Sequence, residues 1–185
     1  MEVLNRSGKY KILILGLDNS GKTSILVSMS RESNILSYCS LRPTKGINIK
    51  NFKSDDRKFN VWDFGGQKQY RKEYIENFNK YLSKVNRIIY VFDVQDMDRY
   101  DSALNYFNEI IHLIKNNPQK IELSIFLHKF DPTIREKEKF KKIDEIVEKK
   151  LIKMIVKIIP PEYSYKIFKT TIYSVFEKDM IIKNK

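Results

Sequence analysis

One stretch constrains this chain more than any other: Lys11-Ile-Leu-Ile-Leu-Gly-Leu-Asp-Asn-Ser-Gly-Lys-Thr-Ser-Ile-Leu26. The apolar run Ile12 to Leu15 reads as a strand buried on both faces. It breaks at Gly16, and Gly16 to Thr23 fits G-x4-G-K-[ST], the phosphate-binding loop pattern. Ile25, Leu26 and Met29 then recur at helical spacing. Between a strand and a helix, the glycines let the backbone curl inward on an anion. The expected phosphate-binding residues are Asp18, Asn19, Ser20, Gly21, Lys22, Thr23 and Ser24. Lys22 is placed to reach the β- and γ-phosphates, and the Thr23 hydroxyl to ligate Mg²⁺.

The rest of the chain alternates strand and helix patterns. Residues 9–15 predict a strand and 22–31 a helix, followed by an irregular loop over 32–45 that contains Pro43. Ile47, Ile49 and Phe52, then Phe59, Val61 and Phe64, alternate around Ser54-Asp55-Asp56-Arg57 as a hairpin with an extended polar loop. Tyr74, Ile75, Phe78 and Leu82 mark a helix from Tyr70 to Leu82. Arg87 to Asp93 reads as a buried strand. Leu104 to Ile114 reads as an amphipathic helix stopped at Asn116-Asn117-Pro118, and Ile121 to Leu127 as another strand. A long helix is predicted over 134–158, with Phe140, Ile143, Val147, Leu151, Met154 and Ile158 on one face and lysines opposite. Pro160-Pro161 ends it, Tyr165 to Ile172 is a last strand, and a short helix begins near Ser174. This alternation demands an α/β fold: a six-stranded, mostly parallel sheet with helices on both faces and one antiparallel edge strand. Ligands of such sheets sit at the carboxyl ends of the strands. The whole chain, 1–185, reads as a single domain.

Composition narrows the setting. Cys39 is the only cysteine, so no intrachain disulfide forms, and a reducing, cytoplasmic interior is expected. No apolar run is long enough to span a bilayer. The net charge of +12 comes from lysines scattered along the whole length, with no arginine-rich arm or aromatic-interleaved ribbon. That pattern describes solvated helix faces, not a nucleic-acid interface.

Further residues complete the phosphate loop. Thr44, in the loop after the first helix, can complete a Mg²⁺ shell, and Asp63, closing a strand, can hold a Mg²⁺-bound water. Gly66 has no side chain, so its N–H can approach a γ-phosphate, and Gln67 is placed to orient an attacking water. Each is common alone. Together and in this order they indicate a nucleoside triphosphate site.

Gly16 to Thr23, Pro43-Thr44-Lys45-Gly46 and Trp62-Asp63-Phe64-Gly65-Gly66-Gln67 resemble the P-loop, switch I and switch II of Arf-type small GTPases. Tyr90-Val-Phe-Asp-Val94, His128-Lys-Phe-Asp131 and Thr170-Thr-Ile-Tyr173 resemble the Rag GTPases, in which His commonly replaces the Asn of the Asn-Lys-x-Asp base motif. The resemblance covers about residues 9 to 180 and implies a P-loop NTPase fold, the small GTPase G domain. It implies that Asp131 accepts two hydrogen bonds from guanine, Lys129 lies along base and sugar, and the backbone near Thr171 and Ile172 meets the guanine carbonyl. His128 belongs to this base-binding loop.

The resemblance also implies Mg²⁺ and GTP or GDP as ligands, with effectors, an exchange factor and a GTPase-activating protein as partners. Asp18 stands where Ras-type proteins carry glycine, next to the expected meeting point of phosphate and Gln67. It implies slow unaided hydrolysis and an arginine supplied from outside; Arg42 could supply one in cis, although an arginine there is more often a solvated loop residue. Glu2 follows the initiator methionine and the C-terminus has no prenylation box, so membrane attachment is not supported by the sequence. A weak or nucleotide-dependent dimer is compatible with the pattern. The alternative function is a catalytically inert nucleotide-binding scaffold of the same fold.

Overall fold

A computed structural model describes residues 9–30, 34–54, 57–115 and 117–173. Its centre is a six-stranded sheet in the order β2-β3-β1-β4-β5-β6, formed by β1 (Lys9–Leu15), β2 (Ile47–Ser54), β3 (Arg57–Phe64), β4 (Val85–Asp93), β5 (Glu122–His128) and β6 (Tyr165–Lys169). Only β2 runs antiparallel, paired to β3 from Ile47↔Phe64 to Ser54↔Arg57; the other neighbours are parallel. The strand order reverses around β1, because β3 lies on one side of it and β4 on the other. A reversal of this kind opens a crevice at the carboxyl end of β1, directly above Gly16.

The side chains of β1 alternate between two cores, as a period of two requires. Ile12 and Ile14 face α1 (Lys22–Ser28) and pack with Ile25, Leu26, Val61, Ile89 and Val91. Leu13 and Leu15 face the larger core, built with α3 (Lys68–Glu76), α4 (Phe78–Leu82), α5 (Tyr100–Ile114), α6 (Ile143–Ile146) and α7 (Lys153–Ile158). Phe107, Ile110, Ile143, Leu151 and Ile155 are fully buried there, each contributing roughly 1.5–3 kcal/mol of burial energy. Helices therefore cover both faces, with α1 supplying the helical residues of the smaller core.

Several element boundaries differ from the sequence expectation. The loop over 32–45 contains a short helix, α2 (Ile35–Cys39), where Asn34 accepts from the Ser37 N–H at 3.1 Å and Ser37 Oγ accepts from the Asn34 N–H at 3.3 Å. A serine in place of Glu or Gln closes this capping box, which hides the signal. The expected helix from Tyr70 to Leu82 is two helices broken at Asn77, whose backbone N–H and side-chain amide both donate to the Glu73 carbonyl, a local side-chain bond of the kind that ends a helix. The long helix over 134–158 begins instead as two 3₁₀ turns, Ile134–Glu136 and Glu138–Phe140, separated by extended Lys137. It becomes continuous only from Ile143, and Val147–Ile152 is a π-helical segment. Ile143, Val147, Leu151 and Ile155 recur every fourth residue, a pattern that drifts about 40° per step from a 3.6-residue turn. The wider turn over Val147–Ile152 brings them back to one face. The first helix stops at Ser28 and the last strand at Lys169, both short of expectation. The hairpin turn residues 55 and 56 and the helix expected near Ser174 lie outside the described residues.

Candidate functional site

The loop between β1 and α1 leaves the sheet at Gly16 and wraps Lys22, whose side chain is buried. Its ammonium donates to the Leu17 carbonyl and to Ser20 Oγ at 3.4 Å, oxygens that hold it where phosphate oxygens would be met. Burial lowers Lys22 to about 8, against the opposing pull of Asp63 and Asp18. Ser20 is itself buried beneath the loop. Asp18, Asn19, Gly21, Lys22, Thr23 and Ser24 line one wall of a cavity of about 350 Å³. Leu41, Arg42, Pro43, Thr44, Gly66 and Gln67 line the other.

The oxygens expected to hold a metal converge. Thr23 Oγ1 donates to Asp63 Oδ2 at 2.7 Å, Thr44 Oγ1 donates to the same atom at 3.1 Å, and the two hydroxyls lie 2.9 Å apart. Adjacent ligands of an octahedral Mg²⁺ at about 2.0–2.1 Å stand about 2.9 Å from each other, the separation of the Thr23 and Thr44 hydroxyls, with Asp63 beside them as an acceptor for a metal-bound water. The other oxygen of Asp63, Oδ1, is buried without a partner among the described residues, an acceptor left over for a bound water or ion. Burial raises the Asp63 carboxyl above its usual range, while Thr23, Lys22 and Thr44 oppose that rise. Two hydroxyls and one carboxylate suit a cation that keeps waters and phosphate oxygens in its shell, and the residues present fit Mg²⁺.

The two loops flanking the cavity are pressed together. The Gly46 carbonyl accepts from the Gly65 N–H at 2.9 Å and from Tyr74 Oη at 2.7 Å, joining the end of one loop to the start of the other. A Cβ on Gly66 would stand 2.1 Å from the Asp18 nitrogen and 2.2 Å from the Leu17 carbonyl carbon. Only glycine permits that approach.

The expected base-binding residues gather on the far side of the P-loop. Lys129, at φ +63°, reaches back to donate to the Asn19 carbonyl at 2.7 Å and to Asp93 Oδ2 at 2.6 Å. Asp131 Oδ1 accepts from Thr171 Oγ1 at 2.6 Å, while the Ile172 side chain packs into the core beside α1. His128 is buried, shares a 2.9 Å hydrogen bond between Nδ1 and Thr170 Oγ1, and lays its ring on Gly21. At φ +92° Gly21 has no room for a side chain, since a Cβ would meet His128 Cδ2 at 2.4 Å.

His128 thus ties the phosphate loop to the base loop, and burial, with the neighbouring Lys129 charge, lowers its pKa below 6.5. A histidine held neutral leaves the folded state with fewer bound protons than the unfolded chain as pH falls. The stability it contributes is full above pH 6.5 and is lost as pH drops through its lower folded value. Between pH 7 and 5 the native protein should lose a few degrees more in Tm than His128→Asn, which cannot titrate there. Equal pH slopes in thermal melts would remove His128 as the cause.

Comparison with known proteins places this geometry. The family model described as "Arf: ADP-ribosylation factor family" matches residues 1–177. The chain belongs to the ADP-ribosylation factor family. It is 32% identical over 126 residues to ADP-ribosylation factor-like protein 3 of Chlamydomonas reinhardtii, covering 68% of this chain and 66% of that protein. It is 34% identical over 124 residues to the Caenorhabditis elegans protein of the same name, covering 66% and 62%. The matches therefore span just under two thirds of these relatives' own length. The Arl6 BBS3 small GTPase from Trypanosoma brucei, solved with a bound nucleotide analogue, superposes with a TM-score of 0.65 at 22% identity over 89% of this chain and 87% of that one. A structure of the mammalian SRP receptor gives the same TM-score at 14% identity, covering 87% and 90%. The fold is that of the P-loop small GTPases.

Within this candidate site the structure adds residues that the sequence motifs do not contain. Arg99 donates to Asp18 Oδ1 at 3.0 Å and to the Asp18 carbonyl at 3.3 Å, and pairs with Asp96. The carboxylate expected to face the reacting phosphate is therefore engaged by Arg99. Gln95 donates through Nε2 to Asp131 Oδ2 at 2.7 Å and to the Lys129 carbonyl at 2.8 Å. Both lie just past Asp93, the one acidic strand end the motif reading left without a role.

Proposed function

We propose that the protein is a Mg²⁺-dependent GTP-binding switch that hydrolyses GTP to GDP and phosphate. The observation that carries this is the oxygen triangle of Thr23, Thr44 and Asp63, which draws one residue each from the start of α1, the loop before β2 and the end of β3 to a single point. In this reading the backbone of Asp18 to Ser24 cradles the β-phosphate, Lys22 bridges β and γ, and the Gly66 N–H meets the γ-phosphate. Gln67 orients the water that attacks the γ-phosphorus; the bond to the β–γ bridging oxygen breaks, and GDP leaves with that oxygen. Mg²⁺, when bound, offsets charge on the β- and γ-oxygens. Asp131 reads the guanine edge, Lys129 lines base and sugar, and the backbone at Thr171 and Ile172 meets its carbonyl.

The segments 32–46 and 64–80, the second carrying α3 and the start of α4, order around the γ-phosphate and relax after hydrolysis, and the shared Gly46 carbonyl makes them move together. Effectors read that difference, and an exchange factor resets it. Asp18, held by Arg99 beside the reaction point, leaves hydrolysis slow until an activating protein supplies a cation. Arg42 lines the cavity but is exposed, as a solvated loop residue would be. His128 in the base loop supports the Rag-like character of the second half. No helix among the described residues is long and apolar enough to cross a membrane. The reading sets the switch in the cytoplasm, which a chain with Cys39 as its single cysteine suits.

Single-turnover hydrolysis tests this reading. Gln67→Leu should slow it about tenfold to a hundredfold while GDP and GTP affinities stay within about threefold. A wild-type protein that binds GTP and never turns it over, even with a supplied activating protein, would be the inert scaffold instead.

A further inference from the structure

We propose that Gln95 is a positioning residue for base selection: it locks the Asp131 carboxylate in the orientation that accepts two parallel donors. The proposal rests on the guanine-site reading above and adds a residue to it. The torsion that rotates a carboxylate about its Cβ–Cγ bond is broad, so an untethered aspartate does not hold the plane of its two oxygens in one fixed orientation. Here both are tied. Gln95 Nε2 donates to Oδ2 at 2.7 Å from the β4 side, and Thr171 Oγ1 donates to Oδ1 at 2.6 Å from the β6 side.

Gln95 is itself fixed at two further points. Its backbone N–H donates to Asp93 Oδ1 at 2.9 Å, and its second amide proton goes to the Lys129 carbonyl at 2.8 Å. That carbonyl belongs to a residue at φ +63°, a conformation L-residues rarely hold unaided. The same Asp93 carboxylate takes the Lys129 ammonium on its other oxygen. One glutamine thus connects the strand end, the strained lysine and the base-reading aspartate. A carboxylate offers about four lone-pair positions, and two are used by these clamps. One remains on each oxygen. Two parallel N–H donors, such as N1–H and the exocyclic amine of guanine, match what is left.

The test compares GDP with inosine diphosphate, which lacks the exocyclic amine and so engages Asp131 through one donor. Gln95→Met keeps the side-chain length and deletes the amide donors. GDP affinity should fall about tenfold and inosine diphosphate affinity less than about threefold, so that the preference between them collapses. Thr171→Val, which removes the opposite clamp, should move the ratio in the same direction. Thermal melts establish that both variants fold. A merely structural role for Gln95 would lower both affinities by the same factor, and that result, or no change in either, would overturn the proposal. A wild-type protein with no preference for GDP over ADP would overturn the guanine site itself, and this proposal with it.

Discussion

Asp131→Asn is expected to lower GTP affinity about a thousandfold and to transfer preference to xanthosine triphosphate. The carboxylate presents two acceptors, whereas asparagine presents one acceptor and one donor. Whichever way the amide turns, its NH₂ group opposes a donor: an N–H of guanine, Thr171 Oγ1 or Gln95 Nε2, since those two side chains already donate to the two oxygens of Asp131. Losing a charge-assisted bond and facing donor with donor costs about 4 kcal/mol, which is the thousandfold. Xanthine replaces the guanine amine with a carbonyl and accepts where guanine donated. Competition binding of the two triphosphates measures this directly. Unchanged GTP affinity would take Asp131 out of the base site.

The second large effect belongs to Gly66→Ala. The added methyl cannot fit, because the atoms it would strike, Asp18 N and the Leu17 carbonyl group, are backbone and cannot rotate away. The second loop must back off from the P-loop and carry the Gly66 N–H away from the γ-phosphate. Losing one preorganised donor to a developing charge costs about a hundredfold or more in rate. Single-turnover GTP hydrolysis should therefore fall about a hundredfold, with GDP affinity within about threefold because the β-phosphate is held by the P-loop itself. Hydrolysis at the wild-type rate would show that the loop contact seen here has no part in turnover.

How far the chain could be read in advance depended on whether a signal was local. The phosphate loop and the sheet were legible because Ile12 to Leu15, Gly16 and Gly21 state their requirements within one short stretch. Thr44 and Asp63, each common alone, were legible from their order after the phosphate loop together with Gly66 and Gln67, and they meet Thr23 at 2.9 Å and 2.7 Å. Arg99 and Gln95 were not. Nothing beside them announces a role, and each gains one only when a distant loop folds over it: Asp18 onto Arg99, and Lys129 with Asp131 onto Gln95. The long helix departed from expectation at its start, where 134–140 form two 3₁₀ turns, and on its face, where Ile155 is buried and the expected Met154 is exposed. The π-helical segment Val147–Ile152 changes the turn, and with it which later residue faces the core. Asn34 with Ser37 shows the limit of motif vocabulary, since a capping box was present with serine in the place usually searched for Glu or Gln.

GTP is selected by the cavity beside Lys22 and the Asp131 loop acting together. The measurement that tests it most directly is competition of GTP and ATP for the purified protein in Mg²⁺. GTP should bind at least about a thousandfold more tightly than ATP, since adenine has no paired donors for Asp131. Equal affinities for the two nucleotides would contradict it.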